Sequence, residues 1–284
     1  TNREYYFQSK DHYCAAHVSR HRGHFLLEPT GRNTAPAIAA AALSLQALHG
    51  DDAIMVVMPA DHLIVNQQAL KSAVEHAVNL AKDGYLVTFG VLPTAPETGF
   101  GYIETGAPLD AKGAAKVQRF VEKPDLQTAT HYLESGNFLW NSGMFCFTTA
   151  TLINELQLHA PELLEQTRAC MEASAPVETV GCLQQELSAA LFAEITDISI
   201  DYALMERSDK VVVVPAGFDW SDIGSWGAVA ALVPADADNN RASGEAVFID
   251  SHNNFVQSEG RLVAAVGVDN LIIVDTADAV LVAH

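Results

Sequence analysis

Two aspartates, Asp61 in PADH and Asp222 in WSDIGSW, follow closely on short apolar runs. Held about 4–5 Å apart, two carboxylates could share one Mg2+, which takes one or two carboxylates and completes its shell with phosphate oxygens. The competing reading is local, since Ser221 or Asp222 could cap the helix that follows.

TGRNT, residues 30–34, joins glycine, a basic residue and the backbone amides of a helix start, a natural site for an anion or a polar ligand. Ligand contact by Gly31, Arg32, Asn33 and Thr34 is preferred here to capping alone. Glu28 precedes the turn, and its carboxylate could accept two parallel hydrogen bonds from guanine, which adenine cannot supply.

FVEKP sets Glu122 and Lys123 at a strand end before Pro124, in a chain with few lysines. A surface ion pair and a substrate contact are equally good readings. In the second, Glu122 accepts sugar hydroxyls and Lys123 meets a sugar phosphate as a compact cation. PETGFGY brackets Phe100 with Gly99 and Gly101, either a plain turn or bare backbone against which a sugar can lie. In LWNSGMF, Asn141 sits among apolar residues and must hydrogen-bond to backbone or ligand. Trp140 and Phe145 read as core. His17, His21 and His24 have helical spacing but no accompanying acid or thiolate, so a solvated segment is preferred to a metal site.

These residues need a scaffold. IMVVMP (54–59) is a continuous apolar run of the kind found in strands buried on both faces. With strands at Phe25–Leu27 and 85–91, and helices from Asn33 or Thr34 to Gly50 and over 67–82, the pattern is β-α-β-α-β. That pattern predicts an α/β fold with a mixed, mainly parallel sheet and helices on both faces. Ligands of such sheets gather beyond the strands' carboxyl ends, where Asp61 lies. After Thr94 come mixed strands, then a long helical region over 148–191 broken near Pro161 and Pro176. SIDYALMERSD reads as a further helix. Past residue 238, short β-type runs separated by Asn, Gly and Asp predict a small C-terminal β-helix or β-roll. The domains are therefore placed at 1–238 and 239–284.

The net charge of −19 over 284 residues argues against nucleic-acid binding and leaves any phosphate to local donors and a metal. No apolar run reaches the ~18 residues that span a bilayer. Four cysteines without CxxC spacing, and no leader, fit a reducing cytoplasm.

Taken in order, EPTGRNTAPAIAAAAL, PADH, PETGFGYIE, FVEKP, LWNSGMF, SIDYALME and WSDIGSW resemble the bacterial mannose-1-phosphate guanylyltransferases, from about Phe25 to the C-terminus. The resemblance implies a Rossmann-like nucleotidyltransferase domain and a β-helical tail. It also implies Mg2+ and the reaction of GTP with mannose 1-phosphate to give GDP-mannose and pyrophosphate. It assigns Glu28 and Gly31 to Thr34 to the guanosine, and Asp61 and Asp222 to the metal. Gly101, Glu122, Asn141 and Lys123 fall to mannose and its phosphate, with Asp61, Lys123 and Asp222 the catalytic set. Asp201 matches a family motif without a role. Family members open with a strand and a glycine-rich, arginine-bearing loop that holds the triphosphate, and the sequence carries no such loop. The alternatives are a non-catalytic sugar-nucleotide-binding homologue, or a nucleotidyltransferase for another base or sugar. The β-rich tail offers a surface for a homodimer.

Overall fold

The computed structural model describes residues 1–16, 23–179 and 181–284. His17 and His21 lie outside the described residues.

Helix α1 (Tyr6–Ala15) and strand β1 (Gly23–Leu27) open the chain. Helix α2 (Thr34–His49) starts where Asn33 accepts the Thr34 amide at 3.0 Å and stops at Gly50, as its capping residues predict. Strands β2 (Ile54–Val57) and β3 (Leu63–Ile64) follow, then α3 (Gln67–Lys82) with Asn66 as cap, and β4 (Leu86–Val91). Next come β5 (Gly101–Pro108), β6 (Ala115–Glu122), α4 (Leu126–Ser135) and β7 (Phe138–Thr148). Helices α5 (Thr149–His159) and α6 (Pro161–Glu172) part at Pro161, as expected.

Beyond α6 the expected helical region gives way to two strands. They are β8 (Val177–Thr179) and β9 (Cys182–Glu186), and β9 pairs parallel with β1, Phe25 opposite Gln184. A partner so distant along the chain supplies the hydrogen bonds that local pattern cannot foresee. Then follow α7 (Ala189–Phe192), one wide helical turn (Asp201–Met205), β10 (Val211–Ala216), β11 (Trp220–Ser221) and α8 (Trp226–Ala231).

The main sheet has the order β2-β7-β4-β10-β6-β5, with β7 also pairing β5. It is mixed, as expected, but not mainly parallel. β2, β4 and β10 share one direction, yet only β4–β10 is a parallel pair, because β7 returns antiparallel between β2 and β4. On one side Met55, Leu86, Phe145, Phe147 and Val211 pack with α2, α5, α6 and α7 in a single core. Helix α3 packs on β4, β7 and β10 and buries Ala77, Leu80 and Ala81 outside that core. Helices thus cover both faces.

The chain forms two compact units, 1–59 with 66–218, and 60–65 with 219–284. In the second unit, β12 (Arg241–Ser243), β14 (Phe255–Ser258) and β16 (Ile272–Asp275) stack in parallel. β13 (Ala246–Ile249) stacks on β15 (Val263–Val266), and β17 (Val280–Ala283) closes β16 antiparallel. These are the successive rungs of a β-helix. One corner is built from asparagine, with Asn239, Asn253 and Asn270 at φ +60°, +55° and +58°. Asn239 donates to Asn253 at 2.7 Å and Asn253 to Asn270 at 2.6 Å, a side-chain ladder up the corner. Among the described residues no helix is long and apolar enough to cross a membrane.

Candidate functional site

Strand pairing sets Gly101 opposite Glu122 at the β5–β6 edge. A β-carbon on Gly101 would lie 2.7 Å from Glu122 Oε2 and 3.4 Å from Asn141 Cβ, so the two side chains converge over bare backbone. Asn141 reaches that point through a bulge in β7. The register slips between Thr88 and Gly90, and Gly143 takes φ +68°, a conformation suited to glycine. Gly143 donates its amide to Asn141 Oδ1 at 3.1 Å, and Asn141 Nδ2 donates to Asp201 Oδ1 at 2.8 Å.

Lys123 follows Glu122 with φ +44° and gives its amide to the Phe100 carbonyl, while its ammonium lies 3.7 Å from Glu122 Oε1. Trp140 and Phe145 are buried, as read, and Phe100 meets Trp140 edge-on at 5.0 Å. Burial pushes the Glu122 carboxyl up; Lys123 opposes the shift and Asp201 adds to it. Asp201 is also raised by burial, against the Asn141 hydrogen bond. Glu206 is raised by burial and then by Asp201 and Glu122. The cluster is acidic and half-open, with the Glu122 side chain 37% exposed, and its carboxylates can receive hydroxyl donors.

Asp61 and Asp222 fall in the same compact unit. β3 and β11 pair antiparallel, Leu63 with Ser221, so the next residues outward are His62 and Asp222, with Asp61 one further. Trp220 Nε1 donates to His62 Nδ1 at 3.1 Å, and His62 Nε2 lies 4.0 Å from Asp61 Oδ1. The Asp61 side chain is 87% exposed. Neither Ser221 nor Asp222 caps α8, because Ser225 takes that place by accepting the Ala228 amide. Asp222 Oδ1 accepts the Gly224 amide at 3.2 Å instead, across a turn in which Ile223 has φ +48°. Positive φ at a β-branched residue is strained, and such strain gathers at functional sites. Carboxylate oxygens suit Mg2+ in kind, and among the described residues no group of three or more His, Cys, Asp or Glu side chains gathers to hold a metal.

The 30–34 turn is partly used by its own chain. Arg32 donates to the Ala193 carbonyl, Asn33 caps α2, and Thr34 Oγ1 accepts the Ile200 amide at 2.9 Å. Capping and loop anchoring thus occupy Arg32, Asn33 and Thr34, which ligand contact alone did not anticipate. Glu28 differs, since its Oε1 is buried without a hydrogen-bond partner among the described residues, and burial pushes its carboxyl up. A buried acceptor left open is what a ligand donor would satisfy. Asp201 is the residue whose role the sequence could not give; its signal was the match of SIDYALME to a family motif.

A nucleotidyl transferase family model matches residues 1–239, and a MannoseP isomerase/GMP-like beta-helix domain model matches 244–284. The chain is 46% identical to mannose-1-phosphate guanylyltransferases of Klebsiella pneumoniae and Escherichia coli over 259 residues, 90% of this chain and 54% of theirs. It therefore spans about half the length of those relatives. Among solved structures, a mannose-1-phosphate geranyltransferase from Thermus thermophilus matches with a TM-score of 0.79 at 30% identity, over 90% of this chain and 72% of that one. A mannose-6-phosphate isomerase from Helicobacter pylori matches with 0.70 at 37%, over 78% and 82%.

Proposed function

From a chain that belongs to the nucleotidyl transferase family, among its mannose-1-phosphate guanylyltransferases, we propose the reaction of GTP with mannose 1-phosphate to GDP-mannose and pyrophosphate. The observation that carries this reading is the convergence of Glu122 and Asn141 over Gly101, a bare-backbone floor edged by an acceptor and an amide donor. A hexose ring can lie on such a floor and exchange hydroxyl hydrogen bonds with both groups.

A phosphate oxygen of the sugar phosphate attacks the α-phosphorus of GTP in line, and pyrophosphate leaves. Such a transfer depends on positioning and charge neutralisation more than on a protein base. Lys123 is the cation for the sugar phosphate, and Glu28 holds guanine through its open carboxylate oxygen. Asp61 and Asp222 would hold Mg2+. When bound, that ion supplies charge neutralisation on the phosphates.

The four cysteines of the chain are free, which fits a cytoplasmic setting. The β-helix exposes Val247, Ile249 and Val266, with Ile249 level with Val266 on neighbouring rungs. That apolar stripe supports self-association as a homodimer.

The test is to incubate the full-length protein with GTP, mannose 1-phosphate and Mg2+ while following pyrophosphate release and chromatographic GDP-mannose. Product formed from dTTP or ATP in preference to GTP overturns the reading, as does no product at all. Light scattering of the same sample reports the dimer.

A further inference from the structure

The Asp201 carboxylate is partly buried, and no assigned step uses it. Its Oδ1 accepts Asn141 Nδ2 at 2.8 Å, while Asn141 Oδ1 accepts the Gly143 amide at 3.1 Å. An asparagine amide can be turned by half a rotation at little steric cost, exchanging its donor and acceptor ends. Here both ends are fixed by opposite demands, since Gly143 requires an acceptor and Asp201 requires a donor. One Nδ2 hydrogen is left for a ligand.

The segment bearing Asp201 is itself clamped. Ile200 gives its amide to Thr34 Oγ1 at 2.9 Å, and Ala35 gives its amide to the Ile198 carbonyl at 3.1 Å. The wide turn then buries Ala203, Leu204 and Met205, so the Asp201 backbone cannot drift from its place. A carboxylate anchored on both sides is a rigid rest for the Asn141 amide.

We propose that Asp201 is the positioning residue of the hexose subsite, setting the Asn141 amide so that its remaining N–H faces the sugar while Glu122 supplies the acceptor across Gly101. The proposal rests on the reading of Gly101, Glu122 and Asn141 as that subsite. Asp201 does not touch the reacting phosphates. Its effect falls on which hexose 1-phosphate is held, and how well, and not on the nucleotide.

The experiment uses the full-length protein with Asp201→Ala, Asp201→Asn, Asn141→Ala and the Asp201→Ala/Asn141→Ala double variant. A lost hydrogen bond to a charged group predicts that Asp201→Ala raises KM for mannose 1-phosphate about 10-fold or more while KM for GTP stays within about 2-fold. Asp201→Asn keeps an acceptor oxygen and restores most of the loss. The double variant is no worse than Asn141→Ala alone, because the two residues act as one unit. Discrimination against glucose 1-phosphate, the C2 epimer, falls with Asp201→Ala. Equal rises in both KM values, or losses that add in the double variant, give Asp201 a merely structural role and overturn the proposal. Asn141→Ala impaired with Asp201→Ala normal overturns it while sparing the subsite. A wild-type protein that accepts no hexose 1-phosphate overturns the subsite reading beneath it.

Discussion

Trp220 donates its indole N–H to His62 Nδ1 across 3.1 Å, joining the two short strands that deliver Asp222 and Asp61. The bond leaves the His62 proton on Nε2, on the side of Asp61. Asp222→Asn keeps the oxygen that accepts the Gly224 amide and removes only the charge. In the full-length protein it should lower turnover by about 100-fold or more with the circular dichroism spectrum unchanged. Trp220→Phe keeps an aromatic ring and loses the donor, so the Mg2+ concentration for half-maximal rate should rise about 10-fold, as outer-shell changes do. Metal titrations of initial rate read both outcomes. Normal turnover by Asp222→Asn would remove it from the metal site.

At Gly101 the constraint is steric. A methyl group there meets Glu122 Oε2 at 2.7 Å, well inside contact distance, so the carboxylate must move away from the floor it edges. Gly101→Ala should therefore raise KM for the sugar phosphate about 10-fold or more and leave KM for GTP nearly unchanged, the pattern of lost positioning at one substrate. Steady-state kinetics with each substrate varied in turn decides it. A change confined to GTP would place this corner elsewhere in the site.

Glu155 tests the scaffold. It is 5% exposed, accepts from Ser208 Oγ at 2.7 Å, and pairs with Lys210 Nζ at 2.8 Å and His159 Nε2 at 3.4 Å. Burial alone would push its carboxyl up, but the Lys210 and Ser208 hydrogen bonds outweigh that, and the result is a lowered pKa. A lowered folded pKa means stability present above the unfolded carboxylate range and lost as pH falls through the lower folded value. Glu155→Gln should cost about 2 kcal/mol at pH 7 and progressively less below about pH 4. Urea denaturation of both proteins at the two pH values measures it, and a gap independent of pH would show that the charge contributes nothing.

The sequence was most readable where one residue type has one job. Asn33, Gly50 and Gly84 punctuate helices α2 and α3, and continuous apolar runs mark β2, β4 and β10, although β2 lies at the sheet edge with Val56 exposed and is not buried on both faces. Asn- and Gly-rich corners announced the β-helix, although not that Asn239, Asn253 and Asn270 hydrogen-bond in a ladder. What depends on distant partners was not readable. The β8–β9 hairpin exists because β9 finds β1, and the direction of β7 between β2 and β4 is set by tertiary pairing. In the site, Gly101, Glu122 and Asn141 could be named singly, but their meeting depends on a bulge at Gly143. Thr34 was read as a ligand contact because its tie to Ile200 spans most of the chain.

In the proposed reaction, base preference is assigned to Glu28. Its buried Oε1 has no hydrogen-bond partner among the described residues, so an ionised carboxylate presents an acceptor that guanine N1–H and amino groups satisfy together. Glu28→Gln keeps the shape but turns one acceptor into a donor facing guanine donors. Selectivity for GTP over ATP should fall about 100-fold, since sites built on buried hydrogen bonds discriminate through groups left unpaired. Burial raises the Glu28 carboxyl, so protonation begins at a higher pH than for an exposed glutamate. GTP affinity of the unaltered protein should therefore weaken as pH falls toward and through that raised value, whereas the Glu28→Gln variant should show no such dependence from this site. Calorimetric titration with GTP, ATP and dTTP across the acidic range reads both effects. A variant that still prefers GTP, with the original pH profile, would move guanine recognition away from Glu28.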